Sequence, residues 1–302
     1  MRLVTRADFD GLACGVLLKF LGLVDSYVFV HPKDVQDGLF AVNENDILAN
    51  VAYAQGCGMW FDHHSSELER VDAVGVKGLS KIAPSCARVI WEYYGGHAVF
   101  PAHLDDFLGA VDKVDSGQLS ADDVNMPKGW ILLGFIVDPR TGMQNQSKFA
   151  LPPYELMMKL IDACAIMSAG EVLGLPDVEE RCQCYFAQEA QFRIMLTQCS
   201  WQEGNVLITD LRAQEEVYSG NRFTAYAMFP DANVSIQVMW GYKKQRVILA
   251  VGHSILNRTS NADIGKLMLQ YGGGGHARVG TCQVPVAKAE AALLEIIKAV
   301  RE

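Results

Sequence analysis

An acidic residue followed by two histidines, Asp62, His63 and His64, is the most chemically informative feature of this sequence. The three polar side chains come directly after the apolar run 57–61 (Cys-Gly-Met-Trp-Phe), which is typical of a buried strand. Imidazole and carboxylate groups together suit Mn²⁺, Fe²⁺, Co²⁺ or Zn²⁺. In open α/β sheets, ligands bind at the carboxyl ends of the strands. Together with the acidic pair Asp8 and Asp10, this pattern predicts a metal-dependent phosphoryl site, and a polar loop with chance histidines is the alternative.

Two further pairs of carboxylates could contribute to the same site. Asp8 and Asp10 follow the first apolar strand, and Gly11 lets the backbone turn tightly into the next helix. Asp112 and Asp115 are three residues apart near the end of a predicted helix, so they share one helix face. Carboxylates at a helix C-terminus oppose the helix dipole, a cost that a bound cation would offset. The alternatives are an ordinary N-cap at Asp8 and a solvated helix end at Asp115.

A run of four glycines, residues 272–275, lies in the last part of the chain. Successive glycines let backbone N–H groups approach a phosphate closely, and nearby histidine and arginine side chains add donors. The candidate substrate-binding residues are Gly273, Gly274, Gly275, His276, Arg278 and Arg258. The alternative is a flexible helix-to-strand turn, for which fewer glycines would suffice. Arg140, in the turn 138–142, is a weaker signal: contact with a substrate is one interpretation, and a structural turn is favoured.

Composition limits the function classes that fit this chain. Its 302 residues, half of them hydrophobic, suffice for two domains with separate cores. A protein that wraps duplex DNA would be basic, whereas the net charge is −9. The eight cysteines include no CxxC pair, which favours free thiols in a reducing cytoplasm. No apolar run is long enough to span a bilayer, so no membrane partner is expected.

The elements that would position these residues change in type along the chain. Strand-like and helix-like segments alternate in the first half, which predicts a parallel sheet with helices on both faces. Strands dominate after Gly204, with a hairpin around the polar turn 241–245. Helices are predicted at 11–21, 84–94, 101–114, 179–199, 261–271 and 287–300. The predicted fold class is α/β. A parallel-sheet N-terminal domain (1–185, including a helical connector region) would be followed by a smaller mixed-sheet α/β C-terminal domain (203–302).

Taken together, and in their order along the chain, the acidic pair 8–10, the residues 62–64, the helix end at 115 and the glycine run resemble the motifs of the DHH phosphoesterase superfamily. That group includes RecJ-like nucleases, nanoRNA and pAp phosphatases, cyclic-dinucleotide phosphodiesterases, exopolyphosphatases and family II pyrophosphatases. Residues 8–11 resemble its first motif, 62–64 its third and 115–117 its fourth. Residues 272–276 resemble the signature of the DHH-associated C-terminal domain. The resemblance covers nearly the whole chain, and bacterial proteins labelled exopolyphosphatase-related are the most similar.

The resemblance implies a two-lobed hydrolase that cleaves a small phosphorylated substrate with a metal-activated water. A short single-stranded oligonucleotide, a nucleotide phosphate and polyphosphate are all possible substrates. The N-terminal lobe would hold one or two divalent ions, usually Mn²⁺, and the C-terminal lobe would bind the rest of the substrate. A homodimer is a further expectation. The predicted metal ligands are Asp8, Asp10, His63, Asp115 and Asp112, and the predicted catalytic residues are His64 and Asp62.

Two positions depart from the motifs of the family. Residues 4–6 (Val-Thr-Arg) stand where the family has a His or Asp, and Asn50 stands where it has an Asp that bridges two metals. One hypothesis is a single metal site, with Arg6 supplying positive charge where the second ion would lie. The alternative is that Asp46 or Asp112 replaces the bridging ligand. Asn50 also supports a second functional candidate, a catalytically weakened phosphate- or nucleotide-binding protein.

Overall fold

The computed structural model describes residues 1–64, 67, 75–143 and 149–301. The chain divides into two compact units. The first comprises Met1–Gln118 and Met126–Tyr185, and the second comprises Leu119–Asn125 and Phe186–Glu302. Among the residues described, no helix combines the length and the apolar character needed to cross a bilayer.

Eleven strands and twelve α-helices are present in the described part of the chain. The strands are β1 (Arg2–Thr5), β2 (Ser26–Phe29), β3 (Asp46–Ala49), β4 (Met59–Asp62), β5 (Lys77–Ser80), β6 (Ser200–Glu203), β7 (Val206–Asp210), β8 (Val234–Trp240), β9 (Arg246–His253), β10 (Gly274–His276) and β11 (Val279–Pro285). The helices are α1 (Phe9–Phe20), α2 (Pro32–Gln36), α3 (Cys86–Tyr93), α4 (Asp105–Asp115), α5 (Ala121–Asn125), α6 (Gly129–Val137), α7 (Pro153–Ile166), α8 (Ala169–Leu173), α9 (Pro176–Cys199), α10 (Thr224–Met228), α11 (Ile264–Leu269) and α12 (Ala289–Val300).

The first unit is built on a five-stranded sheet with the order β2-β1-β3-β4-β5. All four neighbouring pairs are parallel, as the alternation of strands and helices predicts. Helix α1 follows β1 directly and buries ten of its twelve residues, so it packs inside the unit rather than on its surface. Because parallel strands point the same way, the residues that follow β1, β3 and β4 all emerge at one edge of the sheet.

The second unit contains a six-stranded mixed sheet with the order β10-β11-β9-β8-β7-β6. Only β7 and β8 pair in parallel, and the predicted hairpin is the antiparallel pair β8–β9. One face packs against α11 and α12 around Ile236, Met268 and Ile296. The other face packs against the C-terminal part of α9 around Leu196 and Leu207. The α/β fold class with a second mixed sheet is therefore confirmed.

The two largest differences between predicted and observed helix bounds have local causes. The helix predicted for 101–114 begins at Asp105, after a 3₁₀ turn at Ala102–Leu104. The helix predicted for 261–271 is reduced to α11, because Asp263 caps it by accepting a hydrogen bond from Lys266 N at 3.0 Å. Local capping, which hydrophobic spacing does not report, sets the start of α11.

Candidate metal centre

Three of the predicted metal ligands, Asp10, His63 and Asp115, lie together in the first unit, and we call them the metal triad. One ligand atom from each lies within 4.8 Å of the others. His63 Nε2 is 3.2 Å from Asp115 Oδ2 and 3.7 Å from Asp10 Oδ2. Asp10 comes from the first turn of α1, His63 follows β4 and Asp115 ends α4. The fold therefore brings together one imidazole and two carboxylates that are far apart in the sequence.

Backbone N–H groups at the start of α3 hold Asp10 in place. Its Oδ2 accepts a hydrogen bond from Cys86 N and its Oδ1 accepts one from Ala87 N, both at 2.8 Å. Burial, followed by the charges of Asp115 and Asp8, raises the pKa of Asp10 well above its usual range. Burial likewise raises the pKa of Asp115. A cation between these carboxylates would offset their repulsion.

The hydrogen bonds of His63 test whether the triad fits a metal ion. Its Nδ1 is 3.1 Å from Ala83 O, and because a carbonyl only accepts, Nδ1 carries the proton. Nε2 therefore keeps its lone pair on the side of Asp10 and Asp115. This nitrogen is buried and has no hydrogen-bond partner among the described residues. A buried lone pair beside two carboxylates is satisfied by a cation, so the triad fits a divalent ion.

His64 is held by Asp62 and lies next to the triad. Its Nδ1 is 2.9 Å from Asp62 Oδ1, and its backbone N donates to Asp62 Oδ2 at 3.1 Å. Burial lowers the pKa of His64, but the hydrogen bond and charge of Asp62 and the charge of Asp115 outweigh it, so the pKa is raised overall. The rings of His63 and His64 are edge to face, with centroids 4.4 Å apart. Asp62 thus orients His64.

Two of the acidic residues considered as metal ligands are bound elsewhere. Asp112 Oδ1 accepts a hydrogen bond from Ser85 Oγ at 2.7 Å, and its Oδ2 accepts two from Arg88 at 2.6 and 2.9 Å. Asp46 forms an ion pair with Arg2 at the amino end of β3. The structure therefore places both carboxylates outside the metal triad. Helix spacing predicted the face of Asp112 but not the arginine that faces it.

Asp8, the remaining predicted ligand, is the N-cap of α1 and is nearly fully buried. Its Oδ1 accepts hydrogen bonds from Gly11 N at 2.9 Å and from Asn50 Nδ2 at 3.1 Å. Its Oδ2 is 3.0 Å from Arg6 Nε. Gly11 permits this arrangement, because a Cβ there would lie 1.9 Å from Arg6 O. Asp8 is therefore held by Arg6 and Asn50, the two residues at which the sequence differs from the motifs that it resembles.

Arg140 is a residue of this site that the sequence interpretation missed. Its backbone N and its Nε both donate to Asp138 Oδ1 at 2.8 Å. Burial lowers the pKa of Arg140, but the charge and hydrogen bond of Asp138, with the charges of Asp8 and Asp115, raise it overall. The guanidinium is therefore within electrostatic reach of the metal triad. An Asp-Pro-Arg sequence after a buried helix is the only signal for it, and that pattern equally predicts a plain turn.

In the second unit, the glycine run is partly a strand instead of a loop. Gly274 pairs with Thr281 and His276 with Val279 across β10 and β11. A Cβ at Gly273 would lie 2.2 Å from Thr281 O, so strand packing explains that glycine, whereas Gly274 would meet nothing within 4 Å. Arg278, in the turn of this hairpin, is exposed. Arg258 donates from Nε to Ile255 O at 2.8 Å within the loop after β9.

Among the solved structures that match this chain is the pGpG-specific phosphodiesterase PggH from Vibrio cholerae. The two sequences are 44% identical, the match covers 99% of this chain and 98% of that one, and the TM-score is 0.83. The DHH domain of a protein from a family of ribosomal proteins shares the fold, with a TM-score of 0.57 and 12% identity over 100% of this chain and 87% of that one. No protein-family model and no curated protein matches this chain.

Proposed function

Because this chain belongs to the DHH phosphoesterase superfamily, we propose that it is a phosphodiesterase that hydrolyses pGpG or a similar linear dinucleotide. Membership of the superfamily confirms the predicted class, a divalent-metal-dependent phosphoester hydrolase that acts on a small phosphorylated substrate. The observation that carries the choice of substrate is the 44% identity to a pGpG-specific enzyme across 99% of this chain. We further propose Mn²⁺ as the ion, since two carboxylates and one imidazole suit it.

The residues of the metal triad would bind the ion, and their neighbours would orient these ligands and contact the substrate. When bound, a divalent ion supplies Lewis-acid activation of water and of a phosphoryl oxygen. Backbone N–H groups fix Asp10, and the Ala83 carbonyl fixes the ring of His63, so the ligands are oriented before an ion binds. Asp62 holds the His64 ring beside that of His63. His64 is thereby placed to donate a hydrogen bond to a phosphate held at the triad.

The guanidinium groups near the triad complement the charge of the substrate. Arg140 and Arg6 each use Nε to bind an aspartate, Asp138 and Asp8 respectively. A linear dinucleotide with a 5′-phosphate brings at least two negative phosphate groups to the site. Positive groups already fixed in place stabilise such charge without reorganisation during the reaction. A homodimer and a cytoplasmic location remain predictions from the sequence.

A binding protein with weakened catalysis is the second candidate. The observation that favours it is the hydrogen bond from Asn50 to Asp8, where a neutral amide occupies the position of an expected metal ligand. Against it, the buried, unpartnered Nε2 of His63 is a costly feature that phosphate binding alone does not require. Turnover separates the two candidates.

The proposed function is tested by incubating the Mn²⁺-loaded protein with pGpG, other dinucleotides, pAp, pyrophosphate and polyphosphate. We expect pGpG and one water to give two molecules of GMP. Asp115→Asn should abolish this reaction, whereas Asp106→Asn, at an exposed position of the same helix, should leave it unchanged. Tight binding of pGpG without turnover would favour the binding protein. Faster hydrolysis of polyphosphate than of any dinucleotide would contradict the proposed substrate.

A further inference from the structure

The carboxylate of Asp8 lies close in sequence to Asp10 of the metal triad, and both of its oxygens already contact polar groups of the protein. A backbone N–H, an amide and a guanidinium together occupy both of its oxygens. The side chain is 4% exposed, so these three groups, not solvent, neutralise and satisfy it. A positive charge is therefore built into the position where the motifs of the superfamily lead us to expect a second metal ion.

The groups around Asp8 do not fit a metal ion. Asn50 directs its Nδ2, a hydrogen-bond donor, at Asp8, and a donor N–H cannot act as a ligand. Arg6 Nε lies 3.0 Å from the other carboxylate oxygen, and its charge would repel a divalent cation there. Asn50 is fixed in this role because its backbone has a left-handed φ of 57° and its N donates to Phe61 O at 3.2 Å. This half of the expected centre is therefore closed to a second ion.

The charges at the centre lead to the same result. Asp8, Asp10 and Asp115 carry three negative charges when ionised, and Arg6 with one divalent ion supplies three positive charges. Arg140 is matched separately by Asp138, and the buried Asp62 is paired with the ring of His64. A second divalent ion would leave the site with an excess of two positive charges before substrate binds. Sites buried in protein tolerate such unpaired charge poorly.

We propose that the centre holds a single divalent ion and that Arg6 replaces a second one, as a fixed cation that binds a substrate phosphate. This inference rests on the proposed function. Arg6 Nε lies 3.0 Å from Asp8 Oδ2, and among the hydrogen bonds of the described residues none comes from its two Nη atoms. The side chain is 30% exposed, and Arg6 lies between β1 and α1, in the segment that carries Asp8 and leads directly to Asp10. A guanidinium edge open beside the metal triad is suited to a phosphate, which it can bind in a bidentate manner.

The number of bound ions tests the first part of the proposal without any measurement of activity. The metal-free protein is titrated with Mn²⁺, and the ions bound per chain are counted by calorimetry and by electron paramagnetic resonance. We expect one tightly bound ion per chain with the spectrum of an isolated Mn²⁺. Two tightly bound ions with an exchange-coupled spectrum would overturn the inference. One bound ion with no hydrolysis of pGpG would instead refute only the proposed function.

A double substitution tests whether Arg6 and Asn50 are what exclude the second ion. In Arg6→Ala/Asn50→Asp the fixed cation is removed and a carboxylate faces Asp8. Asp tolerates the left-handed backbone of residue 50, so the fold should persist, which circular dichroism can verify. We expect this variant to bind a second Mn²⁺ per chain and to show exchange coupling. A folded double variant that still binds one ion would show that other groups exclude the second.

Inorganic phosphate and GMP serve as probes of the role of Arg6 in phosphate binding. With Mn²⁺ bound, we expect Arg6→Gln to weaken the binding of both probes at least about ten-fold, because a charge-assisted bidentate contact is lost. Arg6→Lys should retain part of the affinity. The matched control is Arg2→Gln, which removes another arginine paired with a buried aspartate and should leave the affinity unchanged. Equal affinity in wild type and Arg6→Gln would overturn the assignment.

Discussion

Two arginine–aspartate pairs lie at opposite ends of strand β1. Arg2 pairs with Asp46 at the amino end, and Arg6 pairs with Asp8 just beyond the carboxyl end. In burial they are nearly the same, with side-chain exposures of 34% and 1% for the first pair and 30% and 4% for the second. Burial and residue type alone therefore do not separate them.

The two pairs differ in how many guanidinium N–H donors of the arginine are used by its aspartate. Arg2 donates to Asp46 from Nε at 2.7 Å and from Nη2 at 2.8 Å, and Phe40 lies against its guanidinium. Asn43 N completes the shell of Asp46. Arg6 contacts its partner through Nε alone. A closed, bidentate pair stabilises the fold, whereas an open pair at the ligand-binding edge of the sheet keeps donors for a substrate.

The largest expected effect is on catalysis, and it separates the two pairs directly. Arg6→Gln should lower kcat/KM for pGpG about 10²- to 10³-fold, or about 3–4 kcal/mol, because a preorganised cation is lost from the reacting phosphate. Arg2→Gln should change kcat/KM less than about two-fold once the folded fraction is taken into account. Steady-state kinetics with both variants checks this. A similar loss in both would mean that Arg6 acts only through the fold.

The next largest effect is on the free energy of unfolding, which should fall more in Arg2→Gln than in Arg6→Gln. Arg2→Gln leaves Asp46 buried without its partner, so the free energy of unfolding should fall by about 2–3 kcal/mol. This lies below the range for a fully buried pair because Arg2 is 34% exposed and solvent screens it. Urea denaturation of the Mn²⁺-loaded protein gives the value. A loss smaller than that in Arg6→Gln would contradict the structural role of the Arg2–Asp46 pair.

The ligands of the metal triad could be predicted in part from the sequence. Polar residues directly after apolar runs predicted the carboxyl edge of the sheet, because parallel strands must end together. That rule predicted Asp10 and His63 as candidate ligands, the spacing of carboxylates at a helix end predicted Asp115, and the fold brings the three together. It gave no means of distinguishing Asp8 from Asp10, which have the same spacing signal. What separates them is Arg6 and Asn50, and the partner of Asn50 lies 42 residues away in the chain.

The residues that sequence reasoning misplaced depend on long-range partners. Asp112 shares a helix face with Asp115, but its carboxylate binds Arg88, which lies in a different helix. Arg140 lies in a local turn with Asp138, and nothing in that turn indicates its nearness to Asp8. Periodicity reports which face a side chain occupies. It does not report which residue from another element packs opposite, and at this site the opposing residue decides the chemistry.

Two further arginine–aspartate pairs, Arg140 with Asp138 and Arg212 with Asp210, lie in turns of the same kind. Arg140 binds Asp138, and Arg212 binds Asp210, in each case through backbone N and Nε at a spacing of two residues. Arg212 also spends Nη1 on Glu290 and Nη2 on Asp210. Among the described residues, no such bond occupies the Nη atoms of Arg140. Arg140 therefore belongs with Arg6 as an open pair.

Substituting the two arginines of these turns should give unequal losses. Arg140→Gln should lower kcat/KM for pGpG about 10- to 30-fold, or about 1.4–2 kcal/mol, because its charge lies near the reacting phosphate without a direct place beside the metal. Arg212→Gln, the matched control, should leave kcat/KM within about two-fold. A loss of equal size in both variants would show that these turns act through stability rather than through charge at the site.

The smallest expected effect is the coupling between Arg2 and the ring of Phe40. Arg2 Cζ lies 5.5 Å from the centre of the Phe40 ring, a cation–π contact with a face of the guanidinium whose edge binds Asp46. In a double-mutant cycle with Phe40→Leu and Arg2→Gln, the coupling free energy should be about 0.5–1 kcal/mol. Leucine keeps the apolar packing, so the cycle isolates the ring from its volume. Zero coupling would mean that the Phe40 ring contributes only apolar packing to the Arg2–Asp46 pair.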